Sequence, residues 1–258
     1  MMTPEQSLAQ AQTVIRGIIA SQHDRPSLVA QIACEVGAEI VEGLIPPDHD
    51  LNTVELARRY DTSRTPVREA LILLENEGLV DIAPRHRPRG RSFTFDEISE
   101  IYRTRAVLYD LMAAEATLRI VNEDIEVLAA ILERMRDACE RHDVVAYSWQ
   151  SVAFHDNNTR MSGNNTAKRM HDSLLLRTLM VRRLALAQPD RLERSLEDHT
   201  QLLRAYENRN PALASAILGA NHKASLVAIE SYFKRTGTLD LPEDVNGLAK
   251  AQLAPAGA

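Results

Sequence analysis

A chain of 258 residues with 45% hydrophobic side chains is long enough for two domains of ordinary size, each with its own core. Its formal net charge of −6 argues against indiscriminate nucleic-acid binding, so any DNA contact has to come from a local basic patch. Cys34 and Cys139 lie far apart without metal-type spacing and read as reduced thiols; no apolar run reaches membrane-spanning length and the start lacks a basic secretory region, so the cytoplasm is the expected compartment, with no membrane partner.

Taken in chain order, Pro4 to Ala20 carries Leu8, Ala11, Val14, Ile15, Ile18 and Ile19 at helical spacing, which predicts an amphipathic helix in an N-terminal extension over 1–27. That helix has three possible destinations: a second domain, a partner subunit, or none. A further helix is expected over about Leu28 to Glu42. Two short helices joined by a tight polar turn follow, the signature of a helix-turn-helix. The first spans about Thr53 to Tyr60. Asp61-Thr62-Ser63 makes the turn and offers a hydroxyl to cap the next helix, which tolerates Pro66 in its first turn and stops at Gly78. Val67, Ala70, Leu71 and Leu74 share one apolar face, while Thr65, Arg68 and Glu69 point away and Arg64 flanks the N-terminal end. Such a face is more often simply a solvated one, and what comes next decides against that. Leu79 to Ala83 alternates like a strand, the turn after Pro84 carries Arg85, Arg87, Arg89 and Arg91, and Ser92 to Phe95 is expected to return as the second strand. No lysine precedes Lys168, so this basic patch is all arginine, the residue suited to bidentate contacts with guanine and phosphate.

After Phe95 the pattern changes to long amphipathic helices with short connections. Six are expected: one opened by Asp96 as cap, one beginning near Asn122, then about 144–161, 165–187, 190–208 and 211–235. Connections this short predict an antiparallel bundle. The fold class is therefore mainly α: a winged helix-turn-helix over 28–95, an all-α antiparallel bundle over 96–236 and a C-terminal tail over 237–258.

The run from Gly43 to Val80, and above all "SRTPVREAL" at Ser63 to Leu71, resembles the DNA-binding domain of the GntR family of bacterial transcription regulators. Asp48 departs from that pattern, which has glycine after Pro47. The bundle resembles the effector-binding FCD domain of the family's FadR branch through "EIYRTRAVL" (Glu100 to Leu108), "FHDNNTRMSGN" (Phe154 to Asn164), "EDHTQLLRAYENRN" (Glu197 to Asn210) and "ANHKASL" (Ala220 to Leu226).

That resemblance implies a homodimeric regulator, a repressor rather than an enzyme, bound to an inverted-repeat operator in double-stranded DNA and controlled by a small effector held in the bundle; an inward Arg105 needs an anionic partner, from a neighbouring helix or from the ligand, and so predicts a small organic acid. Thr53, Ser63, Arg64, Thr65, Arg68, Arg85, His86, Arg87 and Arg89 are the expected DNA contacts. In many members of the branch an aspartate and three histidines hold a divalent metal. Here His155, His199 and His222 occupy the histidine positions, but Ser151 stands at the aspartate position, one turn before His155. A neutral hydroxyl is a poor ligand, so a Zn, Ni or Mn site of reduced affinity is expected, tightened by Ser151→Asp; buried hydrogen-bonded histidines are the alternative. Arg105, Ser151 and Asn158 are the effector candidates, with Arg103 and Asn164 behind them. A competing reading is a metal-dependent His-Asp phosphohydrolase, suggested by the dipeptides at His23, His142, His155 and His171. It leaves the winged domain without a purpose.

Overall fold

The computed structural model describes residues 1–20 and 27–241, so His23 and most of the 237–258 tail lie outside the described residues. The chain divides into two compact units, one drawn mainly from residues 3–93 and the other mainly from 94–171 and 181–241.

The first unit contains α1 (Pro4–Ala20), α2 (Leu28–Val41), α3 (Thr53–Arg59), α4 (Arg64–Asn76), β1 (Val80–Asp81) and β2 (Arg89–Gly90). Helix α1 joins this unit. Its Ala11, Ile15, Ile18 and Ile19 are buried against α2, where Gly37 leaves space for Ile15; a Cβ there would meet Leu74 at 2.9 Å and Ile15 at 3.2 Å. The Ser7 hydroxyl also donates to buried Glu42 at 2.8 Å. The helix-turn-helix core is the expected one, with Leu56, Val67, Ala70, Leu71 and Leu74 all buried. Gly78 ends α4 at φ 74°, where an L side chain is strained.

Three local expectations need correction. Ser63 sits at the N-cap of α4, but its hydroxyl makes no capping bond. The second wing strand is Arg89–Gly90 rather than Ser92 to Phe95, paired Val80↔Gly90 and Asp81↔Arg89. Thr94 explains the difference: with Glu97 it forms a reciprocal capping box that starts a helix at Phe95, so Thr94, not Asp96, is the cap. Residues 48–51 run along the other edge of β2, through Asp48 N–H to Gly90 O (2.8 Å) and Leu51 N–H to Pro88 O (2.7 Å). Asp48 has φ 61°, the left-handed conformation that glycine adopts freely and aspartate tolerates. The residue that departs from the family pattern thus keeps the backbone shape that pattern requires.

The helices that follow are α5 (Phe95–Arg119), α6 (Asn122–Glu140), α7 (Val144–Met161), α8 (Asn165–Leu176), α9 (Leu179–Leu186), α10 (Arg191–Glu207) and α11 (Pro211–Thr236); they build the second unit, except that residues 172–180, at the junction of α8 and α9, group with the first. That is seven helices among the described residues, not six. The expected helix over 165–187 breaks at Arg177-Thr178, where the Thr178 hydroxyl turns back to Leu175 O at 3.0 Å and competes with the helical ladder. No proline or glycine marks the break. Helix starts elsewhere follow the sequence: Asp143 accepts from Ala146 N–H (3.0 Å), Asn164 from Ala167 N–H (3.0 Å) and Asn210 from Leu213 N–H (3.0 Å). Asn164 is therefore a cap. The core collects Tyr109, Met112, Leu128, Met135, Tyr147, Phe154, Leu202 and Tyr206. Helix α11 is long and apolar enough by composition to cross a membrane, yet it packs along α5 and α10 and buries Asn221 and His222. Both cysteines are buried and free.

Candidate functional site

Two sites emerge, one in each unit. On the winged unit the apolar face of α4 is spent on the core, which leaves Arg64, Thr65 and Arg68 exposed on its outer face beside Ser63. Thr53, the first residue of α3, is half-buried. Arg85, His86 and Arg87 are exposed at the wing tip, Arg85 at φ 64° and His86 with Nδ1 3.0 Å from Pro84 O. Arg89 differs from the others because its Nε donates to Asp50 at 2.6 Å, so its charge is partly spent at home. An exposed helix end with two arginines, next to an arginine-bearing hairpin, has the build of a recognition helix and wing.

Inside the bundle, α5, α7, α10 and α11 bring Arg105, Ser151, His155, His199 and His222 together, all buried. His199 donates through Nδ1–H to Ser195 O at 2.6 Å, which leaves the lone pair on Nε2. That Nε2 lies 3.3 Å from His155 Nε2 and 3.3 Å from Ser151 Oγ. His222 packs against Tyr109, with ring centroids 4.3 Å apart, and lies 6.0 Å from the His155 ring. The Arg105 guanidinium donates to the Tyr109 hydroxyl at 3.2 Å, lies 3.4 Å from His171 Nε2 and sits over the Tyr102 ring. Asn158 is fully buried, and its side-chain oxygen accepts from the Tyr206 hydroxyl.

Sequence reasoning missed two cations here. Arg182 of α9 donates to Ser151 Oγ. Arg191, at the start of α10, donates to Asn221 O and Ser225 Oγ, both at 3.0 Å, and lies 3.9 Å from Asp198. A signal for Arg182 existed: the octet "LMVRRLAL" carries two adjacent arginines among apolar residues, so a helix there cannot keep both clear of the core. The second of them, Arg183, is buried over Trp149. A cavity of about 10 Å³, room for roughly one water, is lined by Tyr102, Arg182, Ser195, Asn221, His222 and Ser225.

The electrostatics are one-sided. Burial, then the nearby arginines, hold His155 and His222 well below the usual histidine range; burial likewise pushes His199 down to about 3. All three are neutral at pH 7. Burial also lowers the pKa of Arg182 and of Arg191. Among the described residues, His155 Nδ1, His222 Nδ1, Asn158 Nδ2, Arg182 Nε, and Nε and Nη1 of Arg191 have no hydrogen-bond partner.

The His155 and His199 Nε2 atoms are spaced as two ligands of one tetrahedral ion would be, since bonds of about 2.0–2.1 Å place ligand atoms roughly 3.3 Å apart. A third ligand does not join them: among the described residues no group of three His, Cys, Asp or Glu side chains converges as a metal site. The aspartate position holds Ser151, and its hydroxyl is taken by a cation. As it stands, the set does not fit. The His-Asp dipeptides also have structural roles, since His142 is 79% exposed in the turn that Asp143 caps, and Asp156 pairs with Lys168 at 2.9 Å.

A winged helix-turn-helix joined to an all-α bundle with a buried polar cluster defines a DNA-binding, ligand-responsive transcription regulator. The bacterial regulatory protein gntR family pattern matches residues 28–87, and the FCD domain pattern matches residues 100–222. An uncharacterized HTH-type transcriptional regulator of Agrobacterium vitis is 30% identical over 116 residues, covering 44% of this chain and 68% of that protein. The chain belongs to the GntR family and carries a C-terminal FCD domain. It is also similar to the gluconate operon transcriptional repressor of Bacillus licheniformis, 28% identical over 204 residues, 76% of this chain and 83% of that one. The solved structure of E. coli McbR/YncC shares the fold, with a TM-score of 0.69 at 22% identity over 81% of this chain and all of that one.

Proposed function

We propose that this regulator is a cytoplasmic repressor that binds an inverted-repeat operator as a homodimer and releases it when a small organic acid enters the bundle. Arg64, Thr65 and Arg68 read base edges and phosphates, with Thr53 and Ser63 beside them, while Arg85, His86 and Arg87 hold the flanking backbone. One winged unit alone buries too little surface for operator specificity, which favours a two-fold pair. The names of several relatives, a gluconate operon repressor and a probable D-xylose utilization operon repressor among them, support negative control by a small metabolite.

The observation that carries the effector class is the Arg182 guanidinium, whose buried Nε has no hydrogen-bond partner among the described residues, in a cluster whose histidines are neutral. Desolvated guanidinium groups favour an anion that supplies the compensating charge. Arg105, Ser151 and Asn158, buried in the same bundle, are the further effector contacts we propose. The ligand acts by binding the DNA-competent and DNA-incompetent arrangements of the dimer with different affinity; no chemical step is needed. A thermal-shift screen of mono-, di- and hydroxycarboxylates tests this. It should give a stabilising hit that also weakens operator binding, and Arg105→Ala should lose the shift while staying folded. Hits confined to neutral sugars or amines would contradict it.

A further inference from the structure

The position where the family resemblance puts an anionic metal ligand holds Ser151, and the Ser151 hydroxyl receives a hydrogen bond from Arg182. These two features belong together. A carboxylate beside His155 and His199 would draw a divalent cation, and a guanidinium seated at that point would repel it. Removing the carboxylate and bringing in the arginine changes the fixed cation of the pocket without changing its sign.

We propose that Arg182, anchored on Ser151, replaces the metal as the fixed positive charge of the pocket and receives an effector carboxylate directly. The proposal rests on the effector reading above and deepens it by naming the group that holds the anion. One Nη of Arg182 is used on Ser151, and its buried Nε has no partner among the described residues. A guanidinium with one edge anchored and another unfilled is built to take a carboxylate oxygen, since charge-assisted N–H···O⁻ bonds to a planar fork are strong and directional. Arg191, whose Nε has no hydrogen-bond partner among the described residues and whose Nη1 lies 3.9 Å from Asp198, reaches the same cavity through Asn221 and Ser225 and offers a second contact. Because the cavity holds only about one water, an acid enters by displacing side chains, and that rearrangement is what the rest of the molecule can sense.

The arrangement alters what Ser151→Asp should do. With Arg182 in place, the new carboxylate pairs with the guanidinium and leaves the histidines without an anionic co-ligand. A metal site then requires both Ser151→Asp and Arg182→Gln. The test uses the full chain after chelation and dialysis, with zinc chloride alone titrated calorimetrically into the parent, S151D, R182Q and the S151D/R182Q double variant. The parent and S151D should give no stoichiometric binding, and the double variant should bind one zinc per chain at least roughly tenfold more tightly than S151D. Stoichiometric zinc on the parent, or S151D binding as tightly as the double variant, would overturn the proposal. In a second arm, succinate is added with chelator present. It should raise the melting temperature of the parent, less so of R182K, which keeps the charge and loses the fork, and not of R182Q. An undiminished response in R182Q would overturn it too. Circular dichroism and the zinc-binding double variant itself report whether the substituted chains fold. If the zinc pattern holds while no carboxylate shifts any of the proteins, the exchange of cations stands and the organic-acid reading fails.

Discussion

The sharpest contrast on the winged unit is between Arg64 and Arg89, two exposed arginines with different prior commitments. Arg64 opens α4 and has no ion-pair partner among the described residues, whereas Arg89 donates to Asp50 at 2.6 Å. An arginine that meets a base edge bidentately contributes about 1–3 kcal/mol of discrimination, so Arg64→Ala should weaken a selected operator by roughly 5- to 150-fold and relax base preference there. Arg89 must first leave a surface ion pair worth about 0.2–1 kcal/mol, which offsets much of any phosphate contact it makes. Arg89→Ala should therefore cost less than about 1 kcal/mol, and Asp50→Ala, which frees Arg89 and removes a negative charge, should tighten binding. Arg68→Ala tests the other component, since losing one phosphate contact flattens the dependence of log K on log salt by about 0.9. Fluorescence anisotropy on one labelled operator at several salt concentrations measures all four. Arg64→Ala and Arg68→Ala binding like the parent at physiological salt, or Asp50→Ala binding more weakly, would refute the assignment of this face.

Three further outcomes follow from the structure. Asp48→Gly should be neutral or stabilising by up to about 1 kcal/mol, because φ 61° costs glycine nothing while Asp48→Val strains the turn; urea midpoints ordered otherwise would show that the turn is held by something else. His199 is held at about 3 against 6.5 when unfolded, so the unfolded chain takes up the proton first. Stability should be full above about pH 6.5 and fall with pH, by about 2 kcal/mol at pH 5 from His199 alone, with His155 and His222 adding in the same direction; a flat urea midpoint from pH 7 to pH 5 would contradict their burial as neutral groups. Ile15→Ala should cost about 2–4 kcal/mol by opening a void over Gly37, and a surface-like loss below about 0.5 kcal/mol would mean that α1 is not part of the winged core.

What the sequence disclosed was what local spacing encodes. Val67, Ala70, Leu71 and Leu74 lie within eight residues, so the buried face of α4 was legible, and Gly78 announced its end. The wing was harder because its strands are two residues each, too short for alternation, and their register depends on the 48–51 segment some forty residues earlier. The break at Thr178 has no proline or glycine to betray it and rests on a hydroxyl choosing a carbonyl in its own turn. In the bundle, the histidine positions follow from the resemblance; the structure sets His155 and His199 Nε2 3.3 Å apart, while the His222 ring stays 6.0 Å from that of His155. Arg182 was not found, since its meeting with Ser151 joins residues on separate helices and periodicity says nothing about which buried face meets which.

The most direct test of the central claim is selection of binding sequences from a random duplex DNA library by the purified chain, followed by quantitative binding of the enriched sequence. A two-fold symmetric sequence should emerge, bound by two chains at least about 10³-fold more tightly than random DNA at physiological salt. No enriched sequence, or one bound no better than random DNA, would contradict a regulator that reads an operator through α4 and its wing.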